Sequence, residues 1–189
     1  ELTNYHAKHE SWLADYHYHL DNYSMPAGFI LNMLTDLRHE CGRMKIQSTV
    51  AWLKKYRHMT GNPVVVFAHH KDVLQGISAE LKKDNWRMGA ITGGVPAEKR
   101  TKFVEQFQAG ELDVMLCSTV AAKEGITLTA ADTVVFVERE WTPAWEEQAE
   151  DRVHRIGQDS NNVHAIYLTV AGTIDEKFNT VVEAKREVL

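Results

Sequence analysis

The sequence predicts an α/β fold, with a parallel sheet that carries helices on both faces and is preceded by a helical segment. From Asn62 onward, short apolar and β-branched runs alternate regularly with stretches of helical periodicity. These runs are apolar almost without interruption, which is typical of parallel strands that are buried on both faces. Alternating strands and helices of this kind predict a sheet whose strands are joined by covering helices.

The composition is that of an ordinary globular protein. The chain has 189 residues, of which 44% are hydrophobic and 25% charged, enough for one substantial core. No apolar run approaches the roughly 20 residues of a membrane span, and the start of the sequence lacks the features of a secretory signal. We therefore expect an intracellular protein without a membrane partner, cytoplasmic in a bacterium or phage and nuclear in a eukaryote.

The net charge and the residue types that bind metals argue against two further classes: proteins that bind nucleic acid through overall basicity and metal-binding proteins. A net charge of −5 and a pI of about 6.1 argue against binding nucleic acid through overall basicity, so any such contact must be local. The two cysteines, Cys41 and Cys117, support neither a disulfide framework nor a thiolate metal site. Five of the ten histidines precede residue 40, but without a framework of Cys or carboxylate ligands we expect no metal site.

The chain divides into three parts by pattern. Residues 1–60 lack strand-like runs and contain helix-like stretches such as "GFILNMLTDLRHE" and "IQSTVAWLKKYRHM", so they are expected to form a helical entry segment. Residues 61–172 hold the alternating pattern, and residues 173–189 are expected to form a C-terminal helix. Because both ends fall within continuing patterns, we expect a piece of a longer chain.

The first half of the alternating region gives two strands and two helices. "VVVFA" is the first strand, a helix follows from about Lys71 to Lys83, and "WRMGAI" is the second strand. Pro96 is expected at the first position of the next helix, where its missing N–H costs nothing, and Gly110 closes that helix.

The second half continues the alternation. "DVMLCS" and "TVVFVE" are the third and fourth strands, and Thr142 with Pro143 provides a cap and a first-turn proline for the next helix. "VHAIYLTV" is the last strand. The stretch "TIDE" from Thr173 to Glu176 is a capping box that leads into the final helix.

Ligands of open parallel sheets bind beyond the carboxyl ends of the strands, where four loops here have unusual content. After the first strand, His69–Lys71 carries side chains that can reach a phosphate, and after the second, the glycines of Thr92–Gly94 allow close approach of an anion. A plain turn is the alternative for this glycine pair. Ser118 and Thr119 end the third strand, with Gly125 in the following turn.

Trp141 lies in the loop after the fourth strand, "REWTPAW", and is expected to be exposed by this position. Contact with a base or a groove is one interpretation of an exposed tryptophan, and packing in the core is the more usual alternative.

The stretch "QAEDRVHRIGQ" holds two arginines in an expected short helix that ends at a glycine. At 3.6 residues per turn, Gln148, Arg152 and Arg155 share one narrow sector. Like charges at this spacing weaken a helix by roughly 0.2–0.5 kcal/mol, so an anion between the two guanidinium groups would explain them. A solvated basic patch is the alternative, because four acidic residues surround the pair: Glu146, Glu147, Glu150 and Asp151.

These stretches together resemble the C-terminal RecA-like lobe of SWI/SNF-type superfamily 2 helicases and DNA translocases. "VVVFAHHKDVL" is similar to motif IV, "LCSTVAAKEGITLTAADTVVF" to motif V, and "QAEDRVHRIGQ" to motif VI. "ITGGVPAEKR" and the Trp-x-Pro of "EREWTP" also match the family in order and spacing, so the resemblance covers about residues 42–178. The form of motifs IV and V resembles the distant branch that contains the annealing helicases.

The resemblance implies roles for individual residues. Arg152 and Arg155 would reach the γ-phosphate of ATP bound on the other lobe, with Gln148 seating the nucleotide and Gly125 permitting close backbone approach. The implied DNA contacts are His70, Lys71, Thr92, Gly93, Gly94, Ser118, Thr119 and Trp141.

The sequence also implies what this lobe needs from elsewhere. It contains no Gly-x-x-x-x-Gly-Lys-Ser/Thr loop, and its one Asp-Glu pair lies in the capping box. We therefore expect ATP and the ligands of Mg²⁺ on an N-terminal RecA-like lobe of the same full-length chain, double-stranded DNA as partner, and no ATPase activity from this chain alone. An RNA-helicase lobe and a non-catalytic nucleic-acid-binding module remain alternatives.

Overall fold

Seven helices and five strands are present in the computed structural model, which describes residues 2–119, 126–154 and 162–186. The helices are α1 (Leu2–Asp21), α2 (Phe29–Met44), α3 (Ile46–Thr60), α4 (Lys71–Lys82), α5 (Ala97–Gln108), α6 (Pro143–Glu150) and α7 (Ile174–Arg186). The strands are β1 (Val64–Ala68), β2 (Met88–Ile91), β3 (Val114–Ser118), β4 (Thr133–Phe136) and β5 (His164–Tyr167).

The strands form one parallel sheet in the order β2-β3-β1-β4-β5. β1 lies at the centre, where Val66 pairs with Leu116 of β3 and with Val135 of β4. All carboxyl ends therefore meet at one edge of the sheet, which we call the carboxyl edge. The predicted fold class, a parallel sheet with helices, is confirmed.

Alternate residues of the strands face two separate cores. Phe67 of β1 packs on one face with Phe107 of α5 and Ala149 of α6. Val66 packs on the other face with Leu53 of α3 and residues of α4. Helices thus cover both faces, which explains why the strands are apolar at every position rather than at every second one.

The helical segment at the start of the chain packs on both the sheet and the C-terminal helix. Leu53 of α3 is fully buried in a core that it shares with the sheet. Tyr5 of α1 packs with Leu37 and Cys41 of α2, and its hydroxyl accepts a hydrogen bond of 2.8 Å from the backbone N–H of Ile174 at the start of α7. None of the described helices is both long enough and apolar enough to cross a membrane.

Both cysteines are free and buried. Burial raises the pKa of Cys41 to about 11, and burial also raises the pKa of Cys117. Both side chains therefore serve as small apolar groups of the interior.

Two helix boundaries differ from the sequence prediction. Pro96 is the N-cap of α5 rather than its first residue, because its backbone is extended while its carbonyl already accepts the N–H of Arg100 at 3.0 Å. The helix that was predicted to run through Arg152 ends at Glu150 instead. The N–H groups of Arg152 and Val153 donate to carbonyls three residues back, at 3.2 and 3.0 Å, and the carbonyl of Arg152 accepts a 2.7 Å hydrogen bond from the N–H of Leu128.

The start of α7 follows the predicted capping box with one change. The hydroxyl of Thr173 accepts the N–H of Asp175 at 3.2 Å, as an N-cap does. The carboxylate of Glu176 accepts the N–H of Gly172, also at 3.2 Å, instead of the N–H of the cap residue. Gly172 adopts a φ of 73°, which glycine tolerates without the steric cost of a side chain.

Candidate functional site

The loops after β1 and β2 lie close together at the carboxyl edge. Lys71, the first residue of α4, is exposed, and a Cβ built on Gly94 would lie 3.7 Å from its Nζ. Gly93 is exposed as well, and a Cβ there would meet no atom within 4 Å. Packing within the lobe therefore does not require glycine at position 93. One explanation for this glycine is that a group from outside the lobe approaches the backbone closely.

The segment Thr92–Val95 is also a turn in its own right. The N–H of Val95 donates to the carbonyl of Thr92 at 3.0 Å, and the guanidinium of Arg100 donates to the carbonyl of Val95 at 2.6 Å. Both the anion-contact and the plain-turn interpretations of the glycine pair are compatible with this geometry.

The two histidines after β1 bind carboxylates of the loop that follows β4. His70 donates from Nδ1 to Glu138 Oε1 at 2.6 Å, and His69 donates from Nδ1 to Glu140 Oε1 at 2.8 Å. The hydrogen bond to Glu140 raises the pKa of His69. In this loop, therefore, Lys71 is the cation whose side chain is left at the surface, while the histidines hold the loop in place.

Burial and hydrogen bonding act in opposite directions on these two carboxylates. Burial by itself raises the pKa of Glu138 and of Glu140, which are 3% and 5% exposed. Hydrogen bonds from His70 to Glu138 and from His69 to Glu140, together with nearby positive charges such as Lys45 and Arg38, outweigh burial, so the pKa of each carboxyl group lies below its ordinary value. Both groups are thus held as carboxylates inside the lobe.

Thr119 and Trp141 are both partly or fully covered in the lobe. Thr119 is buried at 3% exposure, whereas Ser118 is half-buried. Trp141 is half-buried rather than exposed, because Phe178 of α7 packs edge-on against it at 4.5 Å and the guanidinium of Arg38 of α2 lies 5.0 Å from its ring centroid. Side chains of two helices thus cover part of the ring.

A buried ion-pair network fixes α6. Arg139, 5% exposed, donates to Glu146 from Nε at 3.0 Å and from Nη2 at 2.7 Å, and to Glu183 of α7 at 2.5 Å. Burial lowers the pKa of Arg139, but the hydrogen bonds that Arg139 donates to Glu146 and Glu183, together with the negative charges of these carboxylates, raise it more. This pairing was not predicted, although a charged triplet, Glu138 to Glu140, directly after an apolar strand was a usable sign of it.

The same network extends to the end of α7. Arg186 donates from Nη2 to Glu146 at 3.1 Å, to Glu150 at 2.9 Å and to the hydroxyl of Tyr167 at 2.6 Å. Tyr167 in turn donates to Glu150. Burial and the neighbouring Glu150 raise the pKa of Tyr167, so its hydroxyl stays protonated and able to donate.

The arginine segment begins where α6 ends. Gln148 is exposed on α6, and Arg152 is half-buried in the turn that follows. The hydrogen bond from Leu128 to the Arg152 carbonyl joins this turn to the chain that follows β3. Arg155 and Gly125 lie outside the described residues.

No group of three or more His, Cys, Asp or Glu side chains within residues 2–119, 126–154 and 162–186 is arranged to hold a metal ion.

Comparison with known proteins identifies the family. Residues 44–157 match the Helicase conserved C-terminal domain, and this range includes β1–β4, α4–α6 and the arginine segment. The chain belongs to this helicase family. Its fold is RecA-like, and it is similar to the C-terminal part of the Fun30 ATPase domain with a TM-score of 0.68 at 24% identity, over 73% of this chain and 44% of that one.

Relatives of this helicase domain fall in the SWI/SNF group. The DNA annealing helicase and endonuclease ZRANB3 of Bos taurus is 35% identical over 170 residues, which are 89% of this chain and 16% of that protein. SWI/SNF-related matrix-associated actin-dependent regulator of chromatin subfamily A-like protein 1 of Xenopus tropicalis is 40% identical over 147 residues, which are 77% of this chain and 15% of that protein.

The helicase domain thus spans about one sixth of the length of these relatives. The resemblance to SWI/SNF-type helicases that the motifs indicated is confirmed, and so is the similarity to the branch with the annealing helicases.

Proposed function

We propose that this lobe is the C-terminal motor half of an ATP-dependent translocase on double-stranded DNA. The observation that carries the proposal is the position of Arg152, which lies inside the matched helicase domain, directly after α6. Its relatives include a protein named as a DNA annealing helicase, which supports DNA as the substrate class. ATP binding would close this lobe on an N-terminal lobe, and hydrolysis would reopen the pair.

On the nucleotide side, Arg152 and Arg155 reach the γ-phosphate of ATP that is bound by the N-terminal lobe. Their charge neutralises negative charge that develops on the transferring phosphoryl group, an effect worth about 10³–10⁵ in rate in such enzymes. Gln148 seats the nucleotide from α6, and Gly125 allows close backbone approach. The network under α6 supports this assignment, because it fixes the helix from which the arginine segment departs.

The nucleotide itself and its Mg²⁺ are bound mainly by the N-terminal lobe in this proposal. The sequence of this chain has no phosphate-binding Gly-x-x-x-x-Gly-Lys-Ser/Thr loop. The part of the lobe that the structure describes has no cluster suited to a metal ion. The contribution of this lobe to hydrolysis is therefore positive charge and positioning.

On the DNA side, the open loops of the carboxyl edge contact the backbone of one strand. Lys71 supplies a charge, Thr92–Gly94 supplies backbone N–H groups and a hydroxyl, and Ser118 supplies a second hydroxyl. His70 supports the loop before α4, and Trp141 contributes the part of its ring that α7 leaves uncovered. Thr119 belongs to the same interface as Ser118 in this proposal, although its side chain is only 3% exposed.

Steady-state ATP hydrolysis of the full-length protein tests the two sides separately. We expect Arg155→Ala and Arg152→Ala to lower kcat strongly at saturating DNA while the KM for ATP and the affinity for duplex DNA change little. Lys71→Ala should instead leave kcat at saturating DNA little changed and raise the DNA concentration that is needed to stimulate hydrolysis.

A matched control is Arg87→Ala. Arg87 is exposed and pairs with Asp113 at 2.7 Å just before β2, at the edge of the sheet opposite to the proposed site. Its loss should leave both kcat and DNA affinity unchanged. Near-normal stimulated hydrolysis in Arg155→Ala would refute the arginine assignment, and stimulation by RNA in place of DNA would refute the substrate.

A further inference from the structure

Glu138 lies under the loop that carries Lys71. Its Oε2 accepts the backbone N–H of His69 at 3.0 Å and of His70 at 2.9 Å, while its Oε1 binds Nδ1 of His70 at 2.6 Å. With 3% exposure, the carboxylate has little contact with solvent. Three hydrogen bonds from two consecutive residues fix the backbone of this loop in one orientation.

The same contacts cap helix α4 from outside. His70 is the N-cap residue of α4 and makes no side-chain capping bond of its own, so Glu138, 68 residues away in sequence, supplies the acceptor at this helix end. A negative charge is favourable there because the N-terminus of a helix carries a partial positive charge. Lys71 is the first residue of α4, so the direction of its side chain depends on this cap.

Helix α2 closes over the carboxylate and needs a glycine to do so. A Cβ built on Gly42 would lie 2.5 Å from Glu138 Oε1 and 2.8 Å from its Cδ, far inside van der Waals contact. Three residues earlier on α2, His39 stacks on His70 with ring centroids 3.9 Å apart and binds Asp72 of α4 at 2.7 Å. The helical segment thus holds Glu138 and the loop together.

We propose that Glu138 is a positioning residue that directs Lys71 at the DNA backbone, and that Gly42 provides the space that the carboxylate occupies. This inference rests on the proposed DNA contact of Lys71. It adds that Glu138 sets the direction of the Lys71 side chain. Glu138 itself touches neither DNA nor nucleotide.

The first test is a DNA-binding titration of the full-length protein at several salt concentrations. Glu138→Ala removes all three hydrogen bonds and should weaken duplex binding about 5- to 10-fold near physiological salt, with a salt slope lower by about one phosphate contact. Glu138→Gln keeps an acceptor oxygen for the two N–H groups and should retain most of the affinity. DNA affinity and slope unchanged in Glu138→Ala would overturn the proposal.

A second variant reaches the same carboxylate from another helix. Gly42→Ala favours the helix by its intrinsic propensity but forces Glu138 to move, so it should also weaken DNA binding and lower the slope. The matched control is Gly76→Ala in α4, whose added Cβ would come closest to the flexible end of the Ile46 side chain, at 2.6 Å from Cδ1. If the two substitutions weaken DNA binding equally, the loss comes from a general disturbance of the fold, and the proposal is overturned.

A double-mutant cycle with Lys71→Ala separates this inference from the proposed function. If Glu138 acts through Lys71, then Glu138→Ala should cost little further affinity once Lys71 is alanine. Fully additive losses would overturn the positioning role. An unchanged DNA affinity in Lys71→Ala would instead refute the proposed DNA contact, whatever the Glu138 variants show.

Discussion

The two halves of the carboxyl edge are built in different ways. Beyond β4 and β5 the edge is covered by α2 and α7, and charged side chains are buried there in pairs, as with Arg139 and Glu146, which are 5% and 1% exposed. Beyond β1 and β2 the edge is open, and Lys71, Gly93 and Gly94 are at the surface. We call these the covered half and the open half.

The two halves therefore hold charged side chains of two kinds. Those of the covered half stabilise the fold, and that of Lys71 in the open half is available for a ligand. In the covered half the guanidinium groups of Arg139 and Arg186 are already bound to carboxylates, so removal of the carboxylate leaves positive charge inside the lobe without its partner. In the open half a lysine and two glycines can be changed without leaving such a group. Stability should therefore depend on the covered half and DNA binding on the open half.

The largest effect on stability is expected from Glu146→Ala. This substitution leaves Arg139 and Arg186 without their shared carboxylate in the interior and should cost about 3–5 kcal/mol of the free energy of unfolding. Urea unfolding of the lobe measures it. The control is Glu147→Ala, an exposed neighbour on the same helix, and a similar cost for both would contradict the division of the edge into two halves.

A smaller loss is expected from Trp141→Ala. Its ring packs on Phe178 and beneath Arg38, so truncation should cost about 2 kcal/mol, less than for a fully buried tryptophan. Trp141→Phe should recover most of this stability. If thermal unfolding shows no loss of stability for the alanine variant while the stimulation of ATP hydrolysis by DNA falls, Trp141 contributes to DNA binding, as the open half does, rather than to stability.

The pair of His69 and Glu140 at the boundary between the halves predicts a pH dependence. The raised pKa of His69 gives stability that is present below its unfolded pKa of 6.5 and is lost as pH rises through the folded pKa. The lowered pKa of Glu140 gives stability that is present above its unfolded value of 4.5 and is lost as pH falls through the folded one. The pair therefore contributes most between these two values.

His69→Gln measures this contribution. Because the side chain of His69 is 36% exposed, we expect at most about 1 kcal/mol, seen as a larger difference from the unmodified protein at about pH 5.5 than at about pH 8.5. The measurement is urea unfolding at the two pH values. A difference that grows toward high pH would contradict the assigned sign.

The smallest effect on stability is expected in the open half, from Gly93→Ala. A Cβ there meets nothing within 4 Å, so the free energy of unfolding should change by less than about 0.5 kcal/mol. If the backbone of this loop approaches a phosphate closely, DNA affinity in a titration of the full-length protein should nevertheless fall. Unchanged affinity would favour the plain-turn interpretation of Thr92–Gly94.

The sequence predicted the open half better than the covered half. Strand runs such as "VVVFA" and the loops at their ends follow from local periodicity and composition, which the chain itself displays. The partners of Arg139 could not be predicted, because Glu183 is 44 residues away and the pairing depends on how α7 packs against α6. The partial burial of Trp141 has the same origin, since side chains of helices distant in sequence cover part of its ring.

Local sequence patterns also did not predict that α6 ends at Glu150. The sequence after Glu150 is compatible with a helix. In the structure, however, the N–H groups of Arg152 and Val153 bond three residues back, and the carbonyl of Arg152 accepts a tertiary hydrogen bond from Leu128. The motifs single out Arg152 and Arg155 as candidates for the proposed contact with ATP, while the three-dimensional contacts determine how the segment that carries Arg152 leaves the helix.

Binding of a transition-state mimic to the Arg155→Ala variant of the full-length protein tests the central claim most directly. ADP with Mg²⁺ and aluminium fluoride imitates the transferring phosphoryl group, whereas a non-hydrolysable ATP analogue imitates the ground state. If Arg155 acts as an arginine finger, affinity for the mimic should fall by about 10³-fold or more while affinity for the ATP analogue changes only a few-fold. Equal losses for both ligands, or no loss for the mimic, would contradict the claim that this lobe supplies the charge for hydrolysis.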